Sequence, residues 1–384
     1  MMKVLVIMLL GLQLLVNSAA LAKEVRPFIL TNTPAMMAHE GTTTEMQSWE
    51  DGMRQSSKPG NYEWWYFDAN LDDGSKIVAT FFTKPTAVSI GPRIPGVTLV
   101  LTKPDGTTIS DSKVFFPTQF SASKSKCDVK IGKQNRVYGD LETYVVRVAT
   151  KHLKIDLTFH RVAPSWRLGA GKVYFDKKLR KYMGWVIPIP SGTVEGTITS
   201  SEGTKNVTGS GYHDHNWGNY PIYMVYDYWF WGRAHVDGYT VVFFDGVGVE
   251  KWGGKHLPIF MMAKDDKILL ADPSQYAVTT GVLVKDSAQF GRKSPEKLFI
   301  NAESEDIKVD LVFSNPKIID RTDVIGDLKL NWLTSWLRPY FNPWYLRFDS
   351  DIDGQIMMKG SADTFHGKAL YEMMILGNAK TLGK

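Results

Sequence analysis

The chain of 384 residues contains one cysteine, Cys127. A single thiol cannot close an intramolecular bridge, so stability must come from a hydrophobic core and not from disulfide staples. No Cys-containing catalytic signature surrounds Cys127, which leaves a nucleophilic role without support. After Val16 no apolar run approaches the roughly 20 residues a membrane span needs, so the mature protein is not expected to span a membrane. Clustered charge is also scarce. The net charge is +5, and the longest basic stretch is Asp176-Lys-Lys-Leu-Arg-Lys-Tyr182, too little for a nucleic-acid-binding face. The chain has no G-x-S-x-G elbow, no G-x-x-x-x-G-K-[ST] loop and no dinucleotide-binding glycine fingerprint. Hydrolase, NTPase and nicotinamide readings are therefore poor. Helix signals are few, the best lying at Leu328 to Leu337.

What is present begins with Met1-Met2-Lys3, an apolar run from Val4 to Val16, and small residues ending in Ala20-Leu21-Ala22. That order reads as a signal peptide over residues 1–22, cleaved after Ala22, and predicts an exported protein, periplasmic or secreted. The alternative is an uncleaved anchor, for which the run is short. Residues 23–57 hold Pro27, Pro34 and Ser/Thr clusters without a sustained period, and read as a leader arm. Beyond them strands follow one another. Leu153, Ile155, Leu157 and Phe159 alternate with Lys154, Asp156, Thr158 and His160, the period-2 pattern of a half-buried strand. Turn residues recur at Asp72-Asp73-Gly74, Pro104-Asp105-Gly106, Ser201-Glu202-Gly203, Asp237-Gly238 and Asp353-Gly354. The expectation is an all-β fold. Asn206-Val-Thr208 is a glycosylation sequon, meaningful only in a eukaryote.

An internal repeat organises the strands. Tyr62-Glu-Trp-Trp-Tyr66 is echoed by Tyr226-Asp-Tyr-Trp-Phe230, and Leu153-Lys-Ile-Asp-Leu-Thr-Phe159 by Ile307-Lys-Val-Asp-Leu-Val-Phe313. Gly211 to His215 aligns loosely with Gly367 to Tyr371. Two copies of one β-module, over 58–220 and 221–384, explain all three matches. Among the 12 Trp, 16 Tyr and 19 Phe, two of the densest runs occupy the opening strand of each copy. Most of them serve as core, yet a cavity lined by Trp and Tyr also suits an apolar polyene or terpenoid. Glu63 and Asp227 occupy matching positions, which favours a structural pairing with Arg167 or Arg233.

Gly211-Tyr-His213-Asp-His215-Asn-Trp217-Gly218 is the densest polar cluster. Two histidines at i and i+2 of a strand share a face, with Asp214 opposite. They read either as acid/base groups or as a buried network closing the first module. No metal is assigned to them: a third ligand would have to come from elsewhere, such as His235 or Asp245, and no Cys/His framework supports one. Asp245 ends the apolar run Tyr239-Thr-Val-Val-Phe-Phe, where the first copy has Phe81. It is either a buried acid with a raised pKa, able to donate a proton, or the start of an ordinary Asp-Gly turn.

Tyr62-Glu-Trp-Trp-Tyr-Phe-Asp68, Gly192-Thr-Val-Glu-Gly196, Gly211 to Gly218 and Trp231-Gly-Arg233 together resemble the carotenoid 1,2-hydratase (hydroxyneurosporene synthase) family with its AttH-type lipocalin-like domains. The resemblance implies two tandem lipocalin-like antiparallel β-barrels packed together. It also implies cofactor-independent hydration of an isoprenoid double bond, with related members cyclising alkenes or epoxides. The family's His-Asn-Trp motif carries over to His215 and Trp217. Its Tyr-x-Asp pair falls on Phe243 and Asp245, so the tyrosine is missing, and Tyr239 or Tyr226 is a candidate replacement. The expected catalytic set is Asp245, His215 and Trp217, with Trp65, Tyr66, His213, Tyr226, Trp229, Trp231 and Phe243 lining the substrate. In this scheme Asp245 protonates an alkene or epoxide, His215 orients or recharges it, and Trp217 with Trp229 stabilises the cation. No cofactor is called for, and the expected partner is an apolar small molecule: an isoprenoid, polyene or lipid. The competing expectations are an exported carrier with the same pocket and no chemistry, and a surface-interaction protein with filled barrels.

Overall fold

The structure, a computed structural model, describes residues 25–85, 91–272, 274–285, 293–323, 343–377 and 382. The expected signal peptide and the helix expected at Leu328 to Leu337 lie outside them. The chain divides into two compact units, one of residues Pro27–Pro221 and one of Ile222–Lys384 with Glu24–Arg26. Each is an antiparallel, curled, lipocalin-like sheet, as the alternating sequence pattern requires. Among the described residues no helix is long and apolar enough to cross a membrane.

In the first unit the strand Tyr62–Leu71 lies between Lys76–Phe82 and the long closing strand Gly203–Gly218. Gly203–Gly218 then pairs with Tyr182–Ser200, and that with Lys154–Arg161. The second unit repeats this connectivity. Tyr226–Val236 lies between Tyr239–Gly248 and the closing strand Ser361–Ile375, which pairs with Trp344–Met358 and through it with Ile307–Asp323. Each pair of sequence echoes thus occupies one topological position.

Strand alternation builds both cores. Trp65, Phe67, Ala69 and Leu71 point inward in the first unit and pack on Ile155, Leu157 and Phe159. In the second, Tyr228, Phe230, Val241, Phe243 and Val247 point inward onto Phe313, Phe348 and Tyr371. Removing this much aromatic surface from water is the main source of stability, at about 25 cal/mol per Å². The echo slips by one residue across the opening strands. Trp65 faces the core of its unit, whereas Trp229, its sequence match, lies on the face opposite Phe230. Pairing of Tyr226–Val236 with its neighbour shifts register between Tyr226 and Tyr228, and a one-residue slip turns every side chain over.

Residues 25–57 have more structure than a bare arm. Ile29–Leu30 pairs with Lys172–Tyr174. Pro34–Glu40 is a short helix with Thr33 as N-cap and Gly41 in the left-handed region after it. A 3-10 turn at Ser48–Asp51 buries Glu50 and Asp51, and Glu50 forms a buried ion pair with Arg167.

Candidate functional site

The inner face of the closing strand in the first unit carries His213, His215 and Trp217, which lie opposite Phe67, Trp65 and Glu63. His213 stacks on Phe67 with ring centroids 3.8 Å apart, and His215 on Trp65 at 4.5 Å. Trp217 lies 4.9 Å from the His215 ring. A β-carbon on Gly184, across the pair, would come within 2.2 Å of the Trp217 indole, so only glycine fits there. Beyond Trp217, a cleft of about 210 Å³ is lined in part by Trp49, Arg54, Lys172 and Tyr182.

At the centre of this cluster is Asp51, a residue the sequence reading passed over. Its Oδ2 accepts from the Tyr144 hydroxyl at 2.6 Å and from His213 Nε2 at 3.1 Å. Its Oδ1 lies 3.2 Å from His215 Nδ1. His213 Nδ1 donates to the Tyr66 carbonyl at 2.9 Å, and His215 Nε2 donates to Glu63 Oε1 at 2.9 Å. Glu63 also accepts from the backbone N–H groups of Arg54 and Gln55, so it does not pair with Arg167 as its repeat position suggested. Asp51, Glu63, His213 and His215 are all buried. Burial alone would raise the Asp51 pKa, but the charge and hydrogen bond of His213 and the adjacent His215 outweigh it and hold the carboxyl well below its ordinary range. Burial likewise works against a charged His215, yet its contact with Asp51, its hydrogen bond to Glu63 and the charges of both carboxylates prevail and raise its pKa. Cys127 and Tyr144, buried beside the Asp51 charge, are both pushed well above their usual values.

The other face of the same strand holds a second network. Asp214 accepts from Trp185 Nε1, the Tyr212 hydroxyl and Asn216 Nδ2, all at 2.8–2.9 Å. The Tyr66 hydroxyl donates to Asp68 at 3.0 Å. Of the expected substrate-lining residues, Trp65 and His213 thus face inward and Tyr66 lies on the opposite face.

Asp245 belongs to the second unit. It continues its strand and does not open a turn, pairing with Phe230 and Pro258. Its carboxylate contacts His256, whose Nδ1 lies 2.8 Å from Oδ2 and 3.0 Å from Oδ1. The Asp245 side chain is 3% exposed and that of His256 53%. Burial raises the Asp245 pKa against the opposing pull of His256, and the hydrogen bond that His256 donates to Asp245 raises the imidazole pKa despite its partial burial. The imidazole in contact with Asp245 is therefore His256, whereas His215 is committed to Asp51 and Glu63. Phe230 and Phe243 share the face of Asp245. Trp229 and Trp231 lie on the other face, so the expected pairing of Trp229 with Asp245 is not formed. Tyr226 is buried edge-on to Phe244, and Tyr239 donates to Asp363; neither is hydrogen-bonded to Asp245. The hydroxyl that does feel its charge is on Tyr276, which donates to the Phe244 carbonyl at 3.3 Å.

With this geometry in hand, likenesses to other proteins become informative. A hydroxyneurosporene dehydrogenase of Chlorobaculum tepidum is 27% identical over 253 residues, covering 54% of this chain and 63% of that one. A quinolone epoxide rearrangement protein of Emericella nidulans is 22% identical over 251 residues, covering 61% and 62%. The chain thus spans about three fifths of the length of either relative. Among solved structures, an AttH structure from Nitrosomonas europaea superposes with a TM-score of 0.57 at 14% identity, covering 83% of this chain and 93% of that one. Kievitone hydratase from Nectria haematococca gives 0.51 at 13%, covering 92% and 98%. These structures share the fold and bear out the AttH-type resemblance. The model of the Svf1 family matches residues 105–329, more than half of the chain, which therefore belongs to the Svf1 family.

Proposed function

We propose that the protein is a cofactor-independent hydratase or cyclase that protonates an alkene or epoxide of an apolar isoprenoid-like or polyketide-like substrate. The observation that carries this reading is the contact of buried Asp245 with half-exposed His256. Burial favours the neutral carboxyl, which has a proton to give, and an imidazole in contact with both carboxylate and solvent can replace it. The relatives named for epoxide rearrangement and for hydration support the same class of chemistry.

In the proposed reaction the Asp245 O–H proton passes to the alkene carbon or the epoxide oxygen, leaving a carboxylate and a substrate cation. The faces of Phe230 and Phe243 stabilise that cation. Water or an internal nucleophile adds to it, and the proton released returns to Asp245 directly or through His256. Tyr276 supplies the hydroxyl that Phe243 lacks. His215 has no part in the relay, because its ring nitrogens face other carboxylates. A carrier with no chemistry is less well supported, since it gives the Asp245–His256 contact no task.

The test is turnover of a panel of terminal alkenes and epoxides in D₂O containing H₂¹⁸O. Hydration inserts one deuterium on carbon and one labelled oxygen. Cyclisation of an alkene inserts deuterium alone. Asp245→Asn should abolish turnover and Tyr276→Phe should slow it. Unchanged turnover by Asp245→Asn would overturn the proposal.

A further inference from the structure

From the cluster around Asp51 we infer a metal site in the first unit, built for a divalent cation of the zinc type, with Asp51, His213 and Cys127 as ligands and His215 beside them. One donor atom from each of Asp51, Cys127 and His213 falls within 4.8 Å of the other two, and all three residues are buried. Ligand atoms on one tetrahedral zinc stand about 3.3–3.6 Å apart, given Zn–N near 2.0 Å and Zn–S near 2.3 Å. The separations of 3.1 Å from His213 Nε2 to Asp51 and 3.2 Å from His215 Nδ1 to Asp51 lie close to that spacing.

Two further observations point to a cation. The first is the orientation of the imidazoles. His213 gives its Nδ1 proton to a backbone carbonyl and His215 its Nε2 proton to Glu63. In the neutral rings the lone pairs are then His213 Nε2 and His215 Nδ1, the two nitrogens turned toward Asp51. Such outer hydrogen bonds to carbonyl and carboxylate are what fix histidine ligands in metal sites. The second is a buried pair: His215 Nδ1 and Asp51 Oδ1 face each other at 3.2 Å without hydrogen-bond alignment, an ion pair only while the ring is protonated. Two such atoms in an apolar interior call for a positive charge between or beside them.

The charge balance fits. Asp51 and Glu63 bring two negative charges into the core, offset without metal by protons on both histidines; with metal the Cys127 thiolate adds a third, and one divalent cation together with a proton kept on His215 offsets all three. On binding, the cation displaces the Cys127 thiol proton and the proton His213 shares with Asp51, and both leave to solvent. The mixed nitrogen, oxygen and sulfur set favours zinc over magnesium or calcium. The ligands beyond His213 thus come from the 48–51 turn and from Cys127, not from His235 or Asp245, whose partners Thr240 and His256 lie in the second unit. The metal ties three distant segments together: the 48–51 turn, the residues before strand Asp128–Ile131, and the closing strand.

The test uses the full, tag-free chain produced in zinc-supplemented medium and dialysed before elemental analysis. The expected result is close to one zinc per chain, kept in the surface control His366→Gln and lowered at least tenfold in His213→Gln. Because that variant can fail to fold, a second measurement rests on the wild type. The chain is unfolded with chelator and refolded with cobalt(II). A thiolate-to-cobalt charge-transfer band should appear and vanish in Cys127→Ser. Wild-type protein that carries no zinc after dialysis and shows no thiolate band with cobalt overturns the inference.

Discussion

Replacing Asp51 with Asn is a sharp test of how the first unit is held together. The substitution keeps the shape and removes the charge on which His213 and Tyr144 converge. Hydrogen bonds to a charged group contribute about 1.5–3 kcal/mol each, and two of them are weakened together. Removing one member of a buried ion pair costs about 3–5 kcal/mol, because the partner charge stays buried. Both routes give a loss of about 3–5 kcal/mol. Tyr144→Phe takes away one bond and leaves the carboxylate otherwise satisfied, so it should cost about half as much. Both variants act on the same carboxylate, so the double variant should fall short of the sum by at least about 1 kcal/mol. The assay is urea unfolding followed by hydrogen exchange in strands 62–71 and 203–218, with chelator in every sample to keep metal out of the comparison. A loss below about 1 kcal/mol for Asp51→Asn, or strict additivity with Tyr144→Phe, would refute the view of Asp51 as the hub.

Further predictions concern other residues. The folded-state pKa of His256 is raised, so its contribution to stability is complete below its ordinary value of about 6.5 and is lost as pH rises through its folded value. Asp245, also raised, acts in the same direction from the ordinary carboxylate range upward. Exchange protection in the second unit should therefore decline on going from neutral to alkaline pH. His256→Gln should remove the part above about 6.5, by under about 1 kcal/mol because the ring is half exposed. Gly184→Ala forces a methyl group into the Trp217 ring and should lower stability by about 1–3 kcal/mol, measured by thermal melting, with Gly184→Ala/Trp217→Leu recovering part of it. Glu50→Gln leaves Arg167 charged and buried, and should cost about 3–5 kcal/mol in the same denaturation assay as Asp51→Asn.

What the sequence made legible was periodic or local. The run from Leu153 to Phe159 announces its inward face by alternation alone, and its echo at Ile307 to Phe313 announces the second unit. The i, i+2 spacing of His213 and His215 places both rings on one face. Asp51 gave no such signal, because it lies 162 residues from His213 in a segment without period, held by polar contacts and not by an apolar stripe. His256 was hidden for a related reason: its link to Asp245 depends on the pairing of neighbouring strands, and nothing at position 256 stands out from an ordinary surface histidine. Trp229 failed through register. Its chemistry matched Trp65, but a shift between Tyr226 and Tyr228 put it on the other face.

The two units share connectivity yet carry their polar intrusions in different places, and that difference separates chemistry from scaffold. On the closing strand of the first unit the inward positions are His213, His215 and Trp217. On the matching strand of the second they include Ala369, Tyr371, Met373 and Ile375. The strand after the opening one is reversed: Ile77, Ala79 and Phe81 in the first unit, against Val241, Phe243 and Asp245 in the second. Each unit has apolar residues where the other carries its polar ones, so the shared connectivity alone does not call for either intrusion. The histidines of the first unit are bound on their far sides to Tyr66 and Glu63 and are shut away from water, a geometry that fixes a charge or an ion and cannot exchange protons freely. Asp245 is as deeply buried, but its partner imidazole reaches solvent, which is the route the proposed proton transfer would require for the carboxyl to be recharged.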